Sequence, residues 1–156
     1  MSAILKDPVW KHTRRRMFFV DRDSMVTKAA KIMKEESVGS VIVLDGAKAV
    51  GILTQRDLID KIVADGKNPN VVKVSDVMSS PLITIKKDET VEKAMSLIEK
   101  FNIRRIVVLD DEGKPYGISV ELRVCGDLLN NTKSWLDQRI GVIAPEEDQC
   151  PLENDI

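Results

Sequence analysis

Thr54 and Asp57 stand three positions apart at the predicted start of a helix, a spacing that suits the binding of a phosphorylated sugar. Free backbone N–H groups and the positive end of the helix dipole favour an anionic phosphate there. Thr54 can donate a hydrogen bond to phosphate, and the carboxylate oxygens of Asp57 suit the adjacent hydroxyls of a ribose. The same Thr-x-x-Asp spacing is also a helix N-cap box that satisfies its own backbone. The two residues alone leave both interpretations open.

This pair of side chains belongs to a unit that occurs twice, over residues 23–58 and 88–124. The copies match at a constant offset of 65 residues, which becomes 66 at Gly51 and Gly117 because the second copy has one extra residue. Each copy has an apolar helix face, then a β-branched strand, then a predicted Gly-Ile turn. Neither copy can bury its apolar face alone, so we expect the two to pack together.

The predicted order of elements in each unit is strand, helix, strand, strand, helix. The predicted elements are strand 17–20, helix 24–36, strands 38–44 and 49–53 and helix 55–64, then strand 82–85, helix 89–101, strands 106–109 and 116–119 and helix 121–129. Asp23 or Ser24 is the expected cap of the first helix. The fold class is therefore α/β (α+β), with tandem repeats forming two small sheets and four main helices around a pseudo-twofold axis.

Five segments follow from this order, and the two ends differ in charge. They are a basic N-terminal leader (1–16), repeat 1 (17–66), a connector (67–81), repeat 2 (82–130) and a C-terminal helix with an acidic tail (131–156). Arginines crowd the leader, whereas acidic residues crowd the end of the tail. The simplest interpretation is that both ends are solvated. A short helix over 133–140 is predicted to dock on the body or on a partner, and the chain beyond Pro145 is predicted to be loose.

Several motifs in the chain together resemble those of a known protein family. The tandem units, the Val-Leu-Asp turn, the segment GILTQRDL and the connector KVSDVMSSPLITI closely resemble a CBS domain pair, the nucleotide-sensing Bateman module. The resemblance spans about 17–130, and its most specific part is Gly51 to Asp57. It implies a stand-alone regulatory module that binds AMP, ADP, ATP or S-adenosylmethionine and forms a homodimer through its helices. It implies no catalytic cofactor.

The resemblance also implies that a pocket takes Thr and Asp from one repeat and its walls from the other. The expected ligand-binding residues are Thr54, Asp57, Pro81, Leu82, Ile83, Thr84, Ile103, Arg104, Arg105 and Ile106. Ile83 and Ile103 would sandwich an adenine ring, and Arg104 and Arg105 would bind phosphate. The alternative for either arginine is a solvated turn or an ion pair with a neighbouring carboxylate.

The second copy departs from the motif at its two decisive positions. Val120 replaces the phosphate-binding Thr and Arg123 replaces the ribose-binding Asp. A guanidinium has no acceptor for a ribose hydroxyl, so we predict one competent nucleoside pocket. The degenerate second pocket comprises Phe18, Phe19, Val38, Gly39, Ser40, Val120 and Arg123. We expect Phe18 or Arg123 to fill it, or else Arg123 to capture a different anion together with Arg14 to Arg16.

Composition weighs against several other classes of protein. A net charge of −1 makes nucleic-acid binding unlikely, and the chain of 156 residues with 43% hydrophobic residues can form a proper core. His12, the only histidine, has no nucleophile or carboxylate at a catalytic spacing and is expected to be exposed. The two cysteines lack the partners of a zinc site. With no signal peptide or apolar run of membrane length, a cytoplasmic protein that is not an enzyme is expected.

Two alternatives to ligand sensing remain open from the sequence. One is a ligand-independent assembly module, in which Thr54 and Asp57 only cap a helix and other surfaces bind a partner. The other is nucleic-acid binding through Arg14 to Arg16, for which affinity would fall steeply with salt. The sequence identifies neither the adenine ligand nor an effector protein.

Overall fold

The computed structural model describes residues 3–120, which form two three-stranded sheets of the same design. In each sheet the first two strands pair in parallel and the last two form an antiparallel hairpin. The strands are β1 (Phe19–Asp21), β2 (Ser40–Asp45) and β3 (Lys48–Thr54) in the first sheet, and β4 (Thr84–Lys86), β5 (Arg105–Leu109) and β6 (Pro115–Val120) in the second. The predicted fold of tandem repeats with two small sheets is confirmed.

Helices pack against these sheets through apolar faces with helical spacing. They are α1 (Val26–Glu35), α2 (Gln55–Leu58) continued by one π-helical turn (Ile59–Val63), α3 (Val74–Val77) and α4 (Val91–Lys100), with 3₁₀ turns at Ala3–Lys6 and Val9–His12. Thr90 caps α4, because its hydroxyl accepts a hydrogen bond from the backbone N–H of Lys93. No side chain caps α1, which begins after Met25, so the predicted cap by Asp23 or Ser24 is wrong.

Gly51 and Gly117 lie inside β3 and β6, so the predicted Gly-Ile turns are wrong. The chain reverses at Gly46, between the predicted strands 38–44 and 49–53, and at Gly113, between those at 106–109 and 116–119. The φ angles of these residues, +60° and +77°, favour glycine. Gly51 and Gly117 serve a different purpose, because another segment crosses directly over each of them. An added Cβ would lie 2.8 Å from the carbonyl oxygen of Ser79 at Gly51, and 2.5 Å from that of Arg14 at Gly117.

The segments that cross these glycines are equivalent by the offset of 65, and one of them belongs to the supposed leader. Residues 73–79 pack on the first repeat, and residues 8–14 pack in the same way on the second. Ser79 exchanges two backbone hydrogen bonds with Ile52, and Arg14 exchanges the corresponding two with Ile118. Residues 8–14 therefore complete the second repeat and are not a free end, although the charged Lys11 and Arg14 are exposed, as the solvated interpretation expects.

The main apolar clusters fill each repeat and the boundary between them. The first is centred on α1 and β2 and includes Val74 of the connector. The second lies under α4 and includes Val9, which is fully buried. The third lies between the sheets, where Ile42 of the first repeat packs against Val107 and Ile118 of the second. Neither repeat is thus closed without the other, as the duplicated pattern requires.

Replacing Val9 by alanine should destabilise the fold by about 2 kcal/mol, because a fully buried side chain leaves a cavity in the core of the second repeat. Val74→Ala, at the equivalent position of the first repeat, should cost a similar amount. Val71→Ala is the matched control, since Val71 is 70% exposed. Urea unfolding measures all three. Equal stability of the Val9 and Val71 variants would contradict the packing described for the N-terminal segment.

Several predictions fall beyond the part of the chain that the structure describes. The helices predicted over 121–129 and 133–140, Arg123 and the acidic tail all lie outside residues 3–120. Within residues 3–120, no helix has the length and apolar character that crossing a membrane demands.

Candidate functional site

Thr54 and Asp57 meet at the turn from β3 into α2, where they form a complete capping box. The Thr54 hydroxyl accepts a hydrogen bond from the backbone N–H of Asp57 at 3.2 Å. In return, Oδ2 of Asp57 accepts from the backbone N–H of Thr54 at 2.9 Å and from its hydroxyl at 2.7 Å. The cap expected from the sequence is therefore present. It places a carboxylate at a helix start next to β2, whose Ser40 pairs with Thr54.

Asp57 is a buried carboxylate whose second oxygen has two further partners. Its Oδ1 accepts from Nζ of Lys61 at 2.8 Å and from the hydroxyl of Ser79 at 3.3 Å, and the residue is only 9% exposed. Burial raises the pKa of Asp57, but hydrogen bonds from Lys61 and Thr54 outweigh that effect and leave the pKa below its ordinary value. The carboxylate is thus ionised at neutral pH. All four of its lone-pair positions have donors.

Lys61 and Ser79 were not among the predicted site residues. Lys61 follows Asp57 by four positions on a helix, a spacing at which opposite charges meet, so the sequence carried that signal. Lys61 also donates to the carbonyl oxygen of Val77 at 2.7 Å, which ties α2 to the connector. Ser79 carried no such signal, because it reaches Asp57 only through its pairing with Ile52 across β3.

The predicted wall residues have different roles in the structure. Pro81 and Arg104 are exposed, and Thr84 begins β4. Ile83 and Ile103 are partly buried against the core of the second repeat, and Ile106 is fully buried within it. Leu82 packs in the cluster between the sheets. The side chain of Ile106 is therefore committed to the core, so only its backbone could meet a ligand.

Arg105 lies where the two predicted pockets approach each other. A Cβ added at Gly39 would come within 2.5 Å of Nη2 of Arg105, so this guanidinium of the second repeat rests on the backbone of the first. Burial lowers the pKa of Arg105, the neighbouring Arg104 lowers it further, and the carboxylate of Asp57 opposes both. An arginine remains charged despite such a shift. The alternative of an ion pair with Asp110 or Asp111 is not observed, since Asp111 pairs with Lys87.

The degenerate second pocket contains an open cleft of about 930 Å³. Its lining residues are Thr13, Arg14, Arg15, Arg16, Ser37, Val38, Gly39, Ser40, Arg105 and Ile118. Phe18 does not fill it, because this side chain packs against the core of the first repeat. Phe19 is exposed and is not part of the lining either. Val38, Gly39 and Ser40 lie where the sequence placed them. The side chain of Val120 and the whole of Arg123 fall outside the description.

His12 is buried, contrary to the expectation that it is exposed. Its Nε2 lies 3.5 Å from Oδ2 of Asp7, and its carbonyl oxygen accepts from the hydroxyl of Ser119 at 3.5 Å. The bond from Ser119 fastens the N-terminal segment to the second repeat, whereas the contact with Asp7 lies within that segment. Among residues 3–120 there is no group of three His, Cys, Asp or Glu side chains that could hold a metal ion.

Comparison with known proteins gives a consistent family match. A family model described as the CBS domain matches residues 9–64 and 74–118. The first match begins inside the supposed leader, in agreement with the packing of residues 8–14. An uncharacterized protein from Methanopyrus kandleri is 42% identical over 87 residues, which is 55% of this chain and 44% of that protein. The chain therefore spans less than half the length of that relative.

Two solved structures illustrate the similarity of fold. A CBS domain protein of unknown function from Thermoplasma acidophilum is 27% identical, with a TM-score of 0.70 over 76% of this chain and 67% of that one. A CBS domain pair in complex with 5′-methylthioadenosine and S-adenosyl-L-methionine is 24% identical, with a TM-score of 0.70 over 80% of this chain and 98% of that one.

Proposed function

Because the chain belongs to the CBS-domain family and carries two CBS domains in tandem, we propose that it is a regulatory module that senses an adenine-containing ligand. AMP, ADP, ATP and S-adenosylmethionine are the candidate ligands. The similar CBS pair with bound 5′-methylthioadenosine and S-adenosyl-L-methionine supports an adenosine moiety as the common element. The role is binding and regulation, not catalysis.

The observation that carries this proposal is the buried, ionised carboxylate of Asp57 at the boundary between the two repeats. It sits at a helix start in the first repeat and touches Ser79 of the segment that leads into the second. Its Oδ1 is held only by the half-exposed Lys61 side chain and by the 3.3 Å bond from Ser79, so a ligand can reach this carboxylate by displacing those two donors. The Arg105 guanidinium, within the electrostatic range of Asp57, supplies a cation for phosphate from the other repeat.

Binding of a ribose at Asp57 requires an exchange of hydrogen-bond partners. The cap bonds to Oδ2 hold the carboxylate in place, whereas Lys61 and Ser79 occupy Oδ1. The Lys61 side chain is 40% exposed and can turn outward, and the Ser79 bond is long. Two ribose hydroxyls can replace these two donors on Oδ1. The ligand would thereby contact both repeats and favour one relative placement, which is the differential affinity that regulation needs.

A thermal-shift screen tests the proposal. Saturation at about 100 times the dissociation constant should stabilise the fold by roughly 2.7 kcal/mol, or about 5–10 °C in Tm. AMP, ADP, ATP and S-adenosylmethionine are compared with GMP and inorganic phosphate at equal concentration. A shift with at least one adenine compound, larger than that with GMP, is expected. The absence of a shift with every adenine compound would contradict the proposal.

Assembly without a ligand is the second candidate function, and two observations favour it. The capping box is complete, so Thr54 and Asp57 have a structural role whether or not a ligand binds. Ile59 and Val63 are 59% and 71% exposed, and they form an apolar strip at the end of α2. The apolar faces of α1 and α4 are buried within their own repeats, so this strip is the described surface on which a homodimer is best supported. A homodimer is compatible with both functions.

A further inference from the structure

The cleft at the degenerate second pocket is lined by four arginines and by no acidic residue. Arg14, Arg15 and Arg16 come from the N-terminal segment, and Arg105 comes from β5 of the second repeat, which that segment completes. The cleft volume of about 930 Å³ lies in the range of sites for small molecules. Four like charges around one cavity repel each other, and a bound anion would remove that repulsion.

Two of the four arginines are held by other parts of the fold. The Arg15 guanidinium stacks over the Tyr116 ring at 4.6 Å from its centroid. Arg16 pairs with Glu36 and lies over the ring of Phe18. These contacts fix the positions of both cations without requiring a ligand.

The other two arginines have no carboxylate in direct contact among the described residues, although Asp57 lies within electrostatic range of Arg105. Neither Arg14 nor Arg105 forms an ion pair with any residue between 3 and 120. Arg14 is placed by the backbone hydrogen bonds that join it to Ile118, and Arg105 is placed by β5 and by its contact with Gly39. The backbone at both positions is therefore fixed, and each guanidinium carries five N–H donors that suit oxygen ligands.

Comparison of the two repeats shows which side chains differ between this cleft and the site at Asp57. By the offset of 65, Arg14, Arg15 and Arg16 correspond to Ser79, Ser80 and Pro81 beside Asp57. The neutral side chains next to the carboxylate at the first site are thus replaced by three cations at the second. We propose that this cleft is a binding site for linked phosphates, held chiefly by Arg14 and Arg105 with hydroxyls of Ser37 and Ser40 at its wall.

Titration calorimetry with inorganic tripolyphosphate at low ionic strength tests this site on the full-length chain. Binding is expected, and it should weaken about tenfold or more in Arg14→Gln and in Arg105→Gln, because each removes a charge-assisted contact. Arg22→Gln is the matched control, since Arg22 pairs with Asp45 away from the cleft. Gly39→Ala is a second variant, because its Cβ would displace the Arg105 guanidinium without removing the charge.

Linked phosphates can be free or belong to a nucleotide, and two further measurements distinguish these sources. If the cleft holds free polyphosphate, Asp57→Asn should bind tripolyphosphate as the wild type does. If it holds the phosphate chain of a nucleotide at Asp57, which rests on the proposed function, ATP should bind more tightly than AMP and lose that advantage in Arg105→Gln. No binding of tripolyphosphate together with equal ATP affinity in all variants would overturn the proposal. A loss of tripolyphosphate affinity in Arg22→Gln as large as that in the cleft variants would also overturn it. So would a preference for single-stranded RNA over tripolyphosphate, if all these variants weakened the RNA binding to the same extent.

Discussion

Replacing Asp57 by alanine should weaken binding of the adenine ligand by about 100-fold or more, because two charge-assisted hydrogen bonds to ribose are each worth roughly 1.5–3 kcal/mol. The loss should be seen for whichever adenine compound gives the largest thermal shift, with titration calorimetry as the measurement. The remaining contacts, which come from the backbone of the second repeat and from Arg105, do not recognise a ribose diol. They therefore cannot compensate for the missing carboxylate.

The Asp57 variant also loses a helix cap, so a control must separate folding from binding. Loss of a cap costs about 1 kcal/mol, and removing Asp57 leaves the Lys61 ammonium without its carboxylate. Thr90→Ala is the matched variant, because Thr90 caps α4 of the second repeat and is not part of the predicted pocket. Comparable destabilisation with unchanged ligand affinity is expected for Thr90→Ala. Unchanged affinity in Asp57→Ala would show that the Thr54–Asp57 pair is only a cap.

Gly117→Ala should destabilise the fold by about 3 kcal/mol, at the upper end of the range for overpacked sites. The added Cβ would meet the side chain of Thr13 and lie 2.5 Å from the carbonyl oxygen of Arg14, and a backbone atom cannot move away easily. The N-terminal segment would have to lift off β6, with loss of the two hydrogen bonds between Arg14 and Ile118. Urea unfolding or a decrease in Tm of roughly 6–12 °C measures this effect.

Thr13→Ser provides a test of the stated cause. Serine lacks the methyl group that the new Cβ would meet but retains a hydroxyl that can donate to the carbonyl oxygen of Val9, as Thr13 does at 2.7 Å. The double variant should recover part of the stability lost in Gly117→Ala, because the clash with the Arg14 backbone remains. A double-mutant cycle with no coupling between the two positions would refute the contact.

The sequence predicts the fold well because the repeated pattern constrains both copies at once. A helix or strand that occurs at the same offset in each copy is indicated twice by the sequence. The structure repeats even its irregularities at this offset, since the register shifts after Val43 in one sheet and after Val108 in the other. The predicted start of α1 was less accurate, because local capping preferences compete with tertiary contacts. Met25 precedes α1 without a side-chain cap because its backbone pairs with Lys73 of the connector.

The N-terminal segment was misinterpreted for a physical reason. Its arginines suggested a solvated end, yet the buried residue is Val9, whose partner at the offset of 65 is the equally buried Val74. Extending the offset to positions before residue 17 would have revealed this match. The packing of this segment places Arg14 to Arg16 at the cleft between the repeats.

The candidate site was predictable only where the contacts are local. Thr54, Asp57 and, in principle, Lys61 follow from helix geometry. The contact of Ser79 with Asp57 and the approach of Arg105 to Gly39 depend on how the repeats pack, which no spacing in the sequence specifies. Ile106 was assigned to the pocket wall from a resemblance, but its side chain is used by the core.

A crystal structure of the protein with AMP tests the central claim most directly, because the duplication offers two related places for a nucleoside, of which only one has the carboxylate. We predict density for the ribose within hydrogen-bonding distance of the Asp57 carboxylate, with Lys61 and Ser79 no longer bonded to Oδ1. Density for the nucleoside only in the arginine-lined cleft next to Ile118, with the capping box and its Lys61 partner unchanged, would contradict it.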